Sequence, residues 1–226
     1  MTGTNKVAIV AGGTGEVGEG IVRSLLKEGI VVVVPSRSPA KGERLKQFVD
    51  NHSNLHLFDT QQIQGDYNEQ LVGWTLEKFG KIDFAVASLG GWYHGGRLDQ
   101  IPTEDWIKVV NNNLNSHFHF AKHIGAYFHE ANQGMFVMIN GGSAETIVPG
   151  SGAMSIISNA QLVMAYVLAA EAKNSKINVY SVMAVTPVKT RSRSFSKKEW
   201  PSAEEIGDYI LKLYNNPSDK VLHRIQ

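Results

Sequence analysis

The feature that most constrains the fold of this chain is a glycine-rich turn near its start. Residues 7–11 form an unbroken apolar run, glycines follow at Gly12, Gly15 and Gly18, and a helical pattern begins at Val17. This order is typical of a strand, a tight turn and a helix, in which Gly12 forms the bend and Gly18 lets the helix pack closely on the strand. Gly15 lets backbone N–H groups approach a ligand, and the positive dipole end of the helix faces the same point. The sequence therefore predicts a turn that binds the pyrophosphate of a dinucleotide, in preference to a purely structural turn.

Strand-like apolar runs alternate with helical patterns along the whole chain. The predicted strands are residues 6–11, 30–35, 54–58, 82–88, 134–140, 177–184 and 220–224. The predicted helices are residues 17–28, 39–51, 67–79, 103–131, 151–173 and 203–213. Because such alternation needs crossover connections, it predicts a doubly wound α/β (Rossmann) fold with a mostly parallel sheet of about seven strands. No repeat or linker divides the chain, so residues 1–226 are predicted to form a single nucleotide-binding domain.

Composition and charge exclude several classes of protein. With 42% hydrophobic and 19% charged residues and a net charge of +1, the chain is an ordinary globule without a global field that would recruit nucleic acid or an anionic membrane. It contains no cysteine, which excludes disulfides and thiolate metal sites. The sequence shows no signal peptide and no apolar run of membrane-spanning length. We therefore expect a cytoplasmic protein that acts on a small molecule.

The end of the second predicted strand bears on the choice of cofactor. Ser36 and Arg37 lie there, about twenty residues beyond the glycine turn, and no carboxylate accompanies them. An acidic residue at this place accepts a hydrogen bond from the ribose 2′-hydroxyl of NAD, whereas a basic residue accommodates the 2′-phosphate of NADP. The sequence therefore predicts NADP in preference to NAD. The alternative is that Arg37 is an exposed loop residue that contacts no ligand.

Further motifs resemble those of one family, the short-chain dehydrogenases/reductases, over nearly the full length of the chain. Residues 12–18 resemble its Gly-x-x-Gly-x-x-Gly turn, and Asp59-Thr60 resembles the acidic position that the family sets against the adenine. Residues 83–90 occupy the place of its Asp-x-x-x-Asn-Asn-Ala-Gly segment, and residues 187–190 resemble the run that contacts the nicotinamide carboxamide. The cofactor-binding residues implied by the turn, by the second strand and by this resemblance are Gly12, Thr14, Gly15, Val17, Gly18, Ser36, Arg37, Asp59, Thr60, Ser88, Gly90, Pro187, Val188 and Thr190.

Two charged features adjoin the predicted cofactor site. Position 16, which is apolar or glycine in the family, is occupied by Glu16. Because a carboxylate beside a pyrophosphate repels it, either Glu16 faces the solvent or the affinity for the cofactor is reduced. Residues 189–198 carry five basic residues among serines, which predicts a solvated, mobile loop near the substrate in preference to a polyanion site.

The catalytic centre departs most from the family. The family places a Tyr and a Lys four residues apart on one helical face, with a Ser about a dozen residues earlier. Here the Tyr and Lys positions fall on Met154 and Ser158, and the Ser position falls on Gly141, or on Ser143 after a small shift. A thioether donates no proton, and a neutral hydroxyl cannot replace an ammonium in lowering the pKa of a neighbour. Asn113 matches the family's active-site Asn, which organises a relay water, although it is also explained as a residue that only bends the helix.

Residues after the fourth predicted strand offer substitute acids. Tyr93 and His94 lie between glycines in a loop at the carboxyl end of a strand, and such loops line the ligand crevice. A histidine that titrates near pH 6.5 needs no large pKa shift to donate a proton, although the pattern slightly favours an apolar wall for a substrate over a proton donor. His117, one turn beyond the active-site asparagine, is a weaker candidate. His119 and His123 have a spacing compatible with a metal, but the sequence indicates no third ligand, and we predict no metal site.

Two functions agree with these observations. The first is an oxidoreductase that moves a hydride between NADP(H) and a small carbonyl or alcohol with non-standard acid–base residues, and the retained glycine turn, Asn113 and residues 187–190 favour it. The second is a non-catalytic NADP(H)-binding protein, a sensor or partner subunit on the same fold. Either is predicted to form a homodimer or homotetramer, because two long helices are apolar on more than one face. The residues concerned are Phe118, Phe120, Val163, Tyr166 and Val167.

Overall fold

The computed structural model describes residues 6–61, 63 and 65–226. The strands in this part of the chain are β1 (Val7–Ala11), β2 (Val31–Ser36), β3 (Leu55–Asp59), β4 (Phe84–Ala87), β5 (Gln133–Gly141), β6 (Lys176–Ala184) and β7 (Leu222–Ile225). The α-helices are α1 (Glu16–Lys27), α2 (Pro39–Phe48), α3 (Asn68–Phe79), α4 (Thr103–Val110), α5 (Ser116–Ala131), α6 (Gly152–Glu171) and α7 (Ala203–Asn215). Each predicted strand is confirmed, with its ends displaced by two residues at most.

The strands form one parallel sheet in the order β3-β2-β1-β4-β5-β6-β7. From β1 the chain winds outward through β2 and β3, then returns to the other side of β1 and winds through β4 to β7. This order confirms the predicted doubly wound α/β (Rossmann) fold. The reversal of winding beside β1 leaves a crevice at the carboxyl ends of the central strands, where ligands bind in sheets of this kind.

The ladder between β1 and β2 ends before β2 does. The last residues in register are Ile9 and Val33, and Pro35 lies two residues further along β2. On the other side of β2, Pro35 is still level with Phe58 of β3. The two central strands therefore part at the carboxyl edge, beside the glycine turn.

Apolar strands that are buried on both faces hold the sheet at the centre of the fold. Every residue of β1 and of β2 is buried, as expected for parallel strands covered by helices on either side. Helices α1, α2 and α7 cover one face, and α3, α5 and α6 cover the other. Side chains that represent these two layers are Leu25, Leu45 and Ile206 on the first face and Leu71, Phe120 and Ala165 on the second. The assignment of Phe120 to an outward apolar face was therefore wrong, because its ring points to the sheet.

The helix predicted over residues 103–131 is interrupted. Between α4 and α5 the five residues Asn111–Asn115 form one π-helical turn, in which the hydrogen-bond step lengthens from four residues to five. Side-chain donors occupy carbonyls in this region: Asn113 Nδ2 donates to the Val109 carbonyl at 2.9 Å, and Ser116 Oγ donates to the Asn112 carbonyl at 2.8 Å. Such contacts compete with the main-chain ladder and allow the wider turn.

Local signals account for several helix ends. Ser38 caps α2 by accepting from the backbone N–H of Lys41, and Pro39 is at the first helical position. Helix α7 begins with a capping box formed by Ser202 and Glu205. Helix α2 ends three residues before its predicted end, because Asp50 and Asn51 adopt a positive φ of 53° that no helix continues.

Helix α6 corrects one expectation. Of the described helices, it alone has the length and apolar composition of a membrane span. Its serine, asparagine and glutamine residues break the apolar run in the sequence, but they add no charge, so the average composition of the helix stays apolar. The helix nevertheless packs in the core layer next to the sheet, where Ala165 is fully buried. Length and composition alone are weak evidence for a membrane segment, since helices in the core of globular proteins can have both.

The turn after β1 brings the backbone of α1 against the end of the strand. A Cβ atom on Gly18 would lie 2.1 Å from the carbonyl oxygen of Gly12. Gly12 itself has a φ of +82°, and a Cβ there would lie 2.0 Å from the carbonyl oxygen of Ser88. Both contacts are with backbone, which cannot move aside as a flexible side chain can.

We predict that Gly18→Ala lowers the free energy of unfolding by about 3 kcal/mol, because the added methyl group overpacks the contact between α1 and the turn. The matched control is Gly73→Ala in the middle of α3, where a Cβ meets nothing within 4 Å. This change should raise the free energy of unfolding by about 0.5–1 kcal/mol through helix propensity. Urea denaturation followed by circular dichroism measures both, and equal effects of the two changes would contradict the close packing.

Candidate functional site

A cleft of about 880 Å³ lies at the carboxyl edge of the sheet. It extends from the glycine turn past the ends of β2 and β4 to the π-helical turn. The predicted site residues that line it are Gly12, Thr14, Gly15, Arg37, Thr60, Ser88, Gly90, Tyr93 and Asn113. The structure thus brings the glycine turn, the basic end of β2 and Asn113 to one continuous surface.

The other predicted site residues are not among those that line this cleft. They are Val17, Gly18, Ser36, Asp59, Pro187, Val188 and Thr190 from the cofactor set and His94, Ser143, Met154 and Ser158 from the catalytic set. Two of them shape loops instead: Ser36 Oγ donates to the Ser38 carbonyl at 3.0 Å, and Asp59 Oδ1 accepts from the backbone N–H of Gln61 at 2.9 Å.

The end of the cleft beside β2 is cationic. Arg37 and Lys41 both line it, and Ser38 lies between them. Tyr67 lines the same end. Its burial raises the pKa of its hydroxyl, and the nearby positive charge of Arg37 opposes that rise. The sequence analysis missed Ser38 and Lys41, although a capping serine followed by a lysine one turn into α2 was a readable signal.

Asn113 joins the π-helical turn to the loop after β4. Its side-chain Oδ1 accepts from the backbone N–H of Gly91 at 2.9 Å, and its Nδ2 is held by the Val109 carbonyl. Its main-chain carbonyl is also occupied, because Gln161 Nε2 donates to it at 3.0 Å and His117 Nδ1 lies 2.6 Å away. This carbonyl is thereby satisfied by protein groups.

His117 is part of the core and not of the cleft lining. It is fully buried, and its burial lowers the pKa of the imidazole to about 4. The ring is therefore neutral near pH 7, with the Nδ1 proton directed at the Asn113 carbonyl. A buried neutral ring in this position is a structural residue and has no route to a ligand in the cleft.

Met154 and Ser158, which the sequence analysis aligned with the Tyr and Lys of the family, carry uncharged side chains. Ser158 Oγ lies 2.8 Å from Ser143 Oγ, and both side chains are buried. Met154 packs in an apolar cluster with Val109 and Ile157. The serine pair therefore satisfies its own hydrogen bonds, and the thioether lies among hydrocarbon.

Tyr93 and His94 point to different partners. Tyr93 lines the cleft, but its hydroxyl donates to Asp105 Oδ2 at 3.2 Å, and desolvation together with that carboxylate raises its pKa. His94 Nδ1 lies 3.1 Å from Ser151 Oγ, at the residue before α6 begins. The histidine is thus held beside the start of α6. Its partner Ser151 lies three residues before Met154 in the chain.

Glu16 faces a protein segment. Its carboxylate accepts from Thr190 Oγ1 at 3.0 Å and from the hydroxyl of Ser192. The hydrogen bond from Ser192, then that from Thr190, holds the pKa of Glu16 below its usual value. The carboxylate therefore stays ionised at neutral pH at the first residue of α1.

His119 and His123 share one partner that the sequence analysis missed. Asp66 Oδ2 lies 3.1 Å from His119 Nδ1 and 3.0 Å from His123 Nε2. Asp66 precedes α3, more than fifty residues earlier in the chain, so spacing did not reveal it. Among residues 6–61, 63 and 65–226, no group of three such side chains is arranged to hold a metal ion.

Comparison with known proteins agrees with this fold. A family model described as enoyl-(acyl carrier protein) reductase matches residues 13–212. An uncharacterized oxidoreductase of Staphylococcus haemolyticus is 26% identical over 222 residues, which cover 96% of this chain and 95% of the relative. Dehydrogenase/reductase SDR family member 4 of Caenorhabditis elegans is 26% identical over 205 residues, which cover 88% of this chain and 76% of the relative.

Solved structures share the same fold. The structure of ElxO with NADP bound superposes with a TM-score of 0.86 at 19% sequence identity. The superposition covers 98% of this chain and 97% of the ElxO chain. A short-chain dehydrogenase from Bacillus anthracis gives a TM-score of 0.84 at 23% identity, covering 98% of this chain and 95% of its own. With a family model that spans most of the sequence and relatives that align over nearly its whole length, this chain belongs to the short-chain dehydrogenase/reductase family of oxidoreductases.

Proposed function

We propose that this chain binds NADP(H) in the cleft and transfers a hydride between that cofactor and a small carbonyl or alcohol, as a single domain over residues 1–226. The observation that carries the proposal is the continuity of the cleft, which joins the glycine turn and Arg37 to Asn113 and Tyr93. The nicotinamide supplies or accepts the hydride. The residues of the chain bind and orient the two reactants and manage the proton.

The residues of the cleft suit a phosphorylated dinucleotide. At the glycine turn, main chain approaches the cleft without intervening side chains, as a pyrophosphate requires. At the other end, Arg37 and Lys41 offer two positive charges for a 2′-phosphate, and the loop after β2 has no carboxylate to favour the 2′-hydroxyl of NAD. ElxO, which shares the fold, has been solved with NADP bound and supports the same choice.

We predict that Arg37→Ala weakens NADPH binding by about ten- to a hundredfold, because a charge-assisted contact with the 2′-phosphate contributes roughly 1.5–3 kcal/mol. NADH binding should change by less than about twofold, since it has no 2′-phosphate. Fluorescence titration with both nucleotides measures the ratio.

The matched control is Arg97→Ala, which removes an equal charge from an exposed residue that does not line the cleft. Its NADPH affinity should equal that of the unmodified protein. Equal affinity of the unmodified protein for NADH and NADPH, or a preference retained by Arg37→Ala, would contradict the role of Arg37.

The acid–base chemistry must use residues other than Met154 and Ser158. A tyrosine of pKa about 10 must come down some three pKa units to act near neutrality, which requires roughly 4 kcal/mol of preferential stabilisation of the phenolate. In this chain the Lys position holds a serine already paired with Ser143. The candidates are Tyr93, which lines the cleft, and His94, which is held by Ser151 beside α6.

The loss of the family's tyrosine, the proton donor, can be tested by introducing a tyrosine at the aligned position. The double change Met154→Tyr with Ser158→Lys places a phenol and an ammonium one turn apart on one face of α6, and we predict a rise in NADPH-dependent carbonyl reduction of about a hundredfold or more. Ser158→Lys alone supplies an ammonium without the phenol that it is meant to activate, and it should give no gain. Met154→Ala should leave any native rate within about threefold, a change too small for loss of a general acid. A folded double variant that binds NADPH without the gain would contradict this interpretation.

The substitute acid is identified by a second pair of variants. Loss of a general acid costs about a hundred- to ten-thousandfold in turnover. Because Tyr93 lines the cleft and His94 does not, we expect Tyr93→Phe to show that loss and His94→Gln to stay within about tenfold of the native rate. NADPH affinity, measured on the same proteins, should not change. The reverse order of effects would assign the acid to His94.

A second candidate function is that of a non-catalytic NADP(H)-binding protein. A specific observation favours it: Asn113 matches the Asn that organises the relay water in the family, and its main-chain carbonyl is already occupied by Gln161 and His117. The two proposals differ in one measurement. A panel of carbonyl compounds that consumes NADPH supports the oxidoreductase, and NADPH binding without consumption of any of them supports the sensor or partner subunit.

We further propose that the chain is a cytoplasmic homodimer or homotetramer with no nucleic-acid or membrane partner. The outer faces of α5 and α6 expose Phe118, Val163, Tyr166 and Val167, each with 46–59% of its surface accessible. Exposed large apolar side chains grouped on two adjacent helices are typical of an association surface.

We predict a dimer or tetramer by light scattering at tens of micromolar protein, and a shift toward monomer in Val163→Asp, because a buried unpaired carboxylate at such a surface is unfavourable. Ile147→Asp is the control, since Ile147 is 71% exposed in the loop between β5 and α6. It should leave the mass unchanged. A monomeric unmodified protein would refute the assembly.

A further inference from the structure

The basic segment, residues 189–198, is fixed to the first turns of α1. Glu19, one turn beyond the glycine turn, is only 4% exposed, and the guanidinium of Arg191 meets both of its oxygens at 3.2 and 3.1 Å. Arg44 of α2 lies 4.0 Å from the same carboxylate and donates to the Thr14 carbonyl at 3.2 Å. A buried carboxylate needs such partners, so Glu19 holds the segment where it is.

An aromatic ring strengthens this attachment. The guanidinium of Arg191 lies 5.0 Å from the centre of the Phe48 ring, and that of Arg23 lies 4.8 Å from it. Stacking of this kind holds the arginine against α2 while its polar edge pairs with Glu19. The residues on either side of Arg191 are therefore held over the start of α1.

Those two residues are the hydroxyl donors to Glu16. Thr190 and Ser192 flank Arg191, and both donate to the Glu16 carboxylate. The carboxylate is therefore fastened to the segment and does not swing freely into solvent. It follows Gly15, which lines the cleft, and lies at the positive end of α1, where the pyrophosphate of the proposed cofactor is expected.

We propose that Glu16, held at the helix start by Thr190 and Ser192, sets the affinity of this chain for its dinucleotide by acting as a built-in anion that repels the pyrophosphate. The inference rests on the proposed function, because it concerns the same cofactor site. A carboxylate on the first residue of α1 and a pyrophosphate bound at the start of that helix are like charges, so the fixed carboxylate weakens binding. Glu16 is thus an affinity-setting residue and takes no part in the chemical step.

The experiment is an NADPH titration of Glu16→Gln, which keeps the size of the side chain and removes its charge. We expect binding at least about fivefold tighter at low ionic strength, and a smaller gain near 0.5 M salt, where charges are screened. The charge-matched control is Glu43→Gln on the exposed face of α2, where Glu43 pairs with Lys46. This control should bind NADPH as the unmodified protein does. Circular dichroism checks that each variant is folded.

A double-mutant cycle tests whether the segment holds Glu16 in place. Ser192→Ala removes one of the two hydroxyl donors, so it should tighten NADPH binding by about twofold or more in the native background. In the Glu16→Gln background the same change should have no effect, because no charge remains to be held.

The outcomes separate this inference from the proposed function. NADPH binding by the unmodified protein, with Glu16→Gln within twofold of it or weaker, overturns the role of Glu16 and leaves the proposed function intact. An equal effect of Ser192→Ala in both backgrounds overturns the holding role of the segment and with it the proposal as stated. Absence of NADPH binding by all of these proteins overturns the proposed function and this inference together.

Discussion

The close contact between the backbone of α1 and the turn after β1 is the constraint on which the site depends. Gly18 lies so near the Gly12 carbonyl that no side chain fits between them. The contact fixes the start of α1 at the carboxyl end of the central strand, where the winding of the sheet reverses. Gly12 and Gly15 of the turn, the basic end of β2 and the loop after β4 then line one cleft. Because the arrangement is made of backbone, it tolerates wide variation in the side chains around it.

The sequence predicted the fold well, because the signals for the fold are local. Parallel strands buried on both faces appear in the sequence as short apolar runs, and the glycine turn is a contiguous motif. The π-helical turn at Asn111–Asn115 was not predicted, because a single widened turn leaves the periodicity of the flanking helices almost unchanged. The role of Phe120 was predicted wrongly for a related reason: periodicity shows that a helix has two apolar faces, but it does not show which residue faces the sheet.

The site was predicted less completely, because its contacts join distant parts of the chain. Arg37 and Asn113 were found through motifs and line the cleft. Gln161 at the Asn113 carbonyl and Asp66 between two histidines were not found, since each partner is more than forty residues away. The sequence indicated Met154 and Ser158 at the positions of the family's Tyr and Lys, but it did not indicate what surrounds them. In the structure Ser158 lies beside Ser143, and Gln161 donates to the Asn113 carbonyl.

The proline in β2 has a consequence for the shape of the cleft. Along β2 the even-numbered residues direct their N–H and carbonyl groups toward β3, as the hydrogen bonds of Val32 and Ser36 show, and Val31 bonds to the β1 side. Pro35 therefore faces β1, and it has no N–H to offer. The hydrogen-bond ladder between β1 and β2 therefore cannot extend past Val33, with or without a ligand in the crevice. The gap between the two central strands is thus kept open because the proline has no N–H to donate across it.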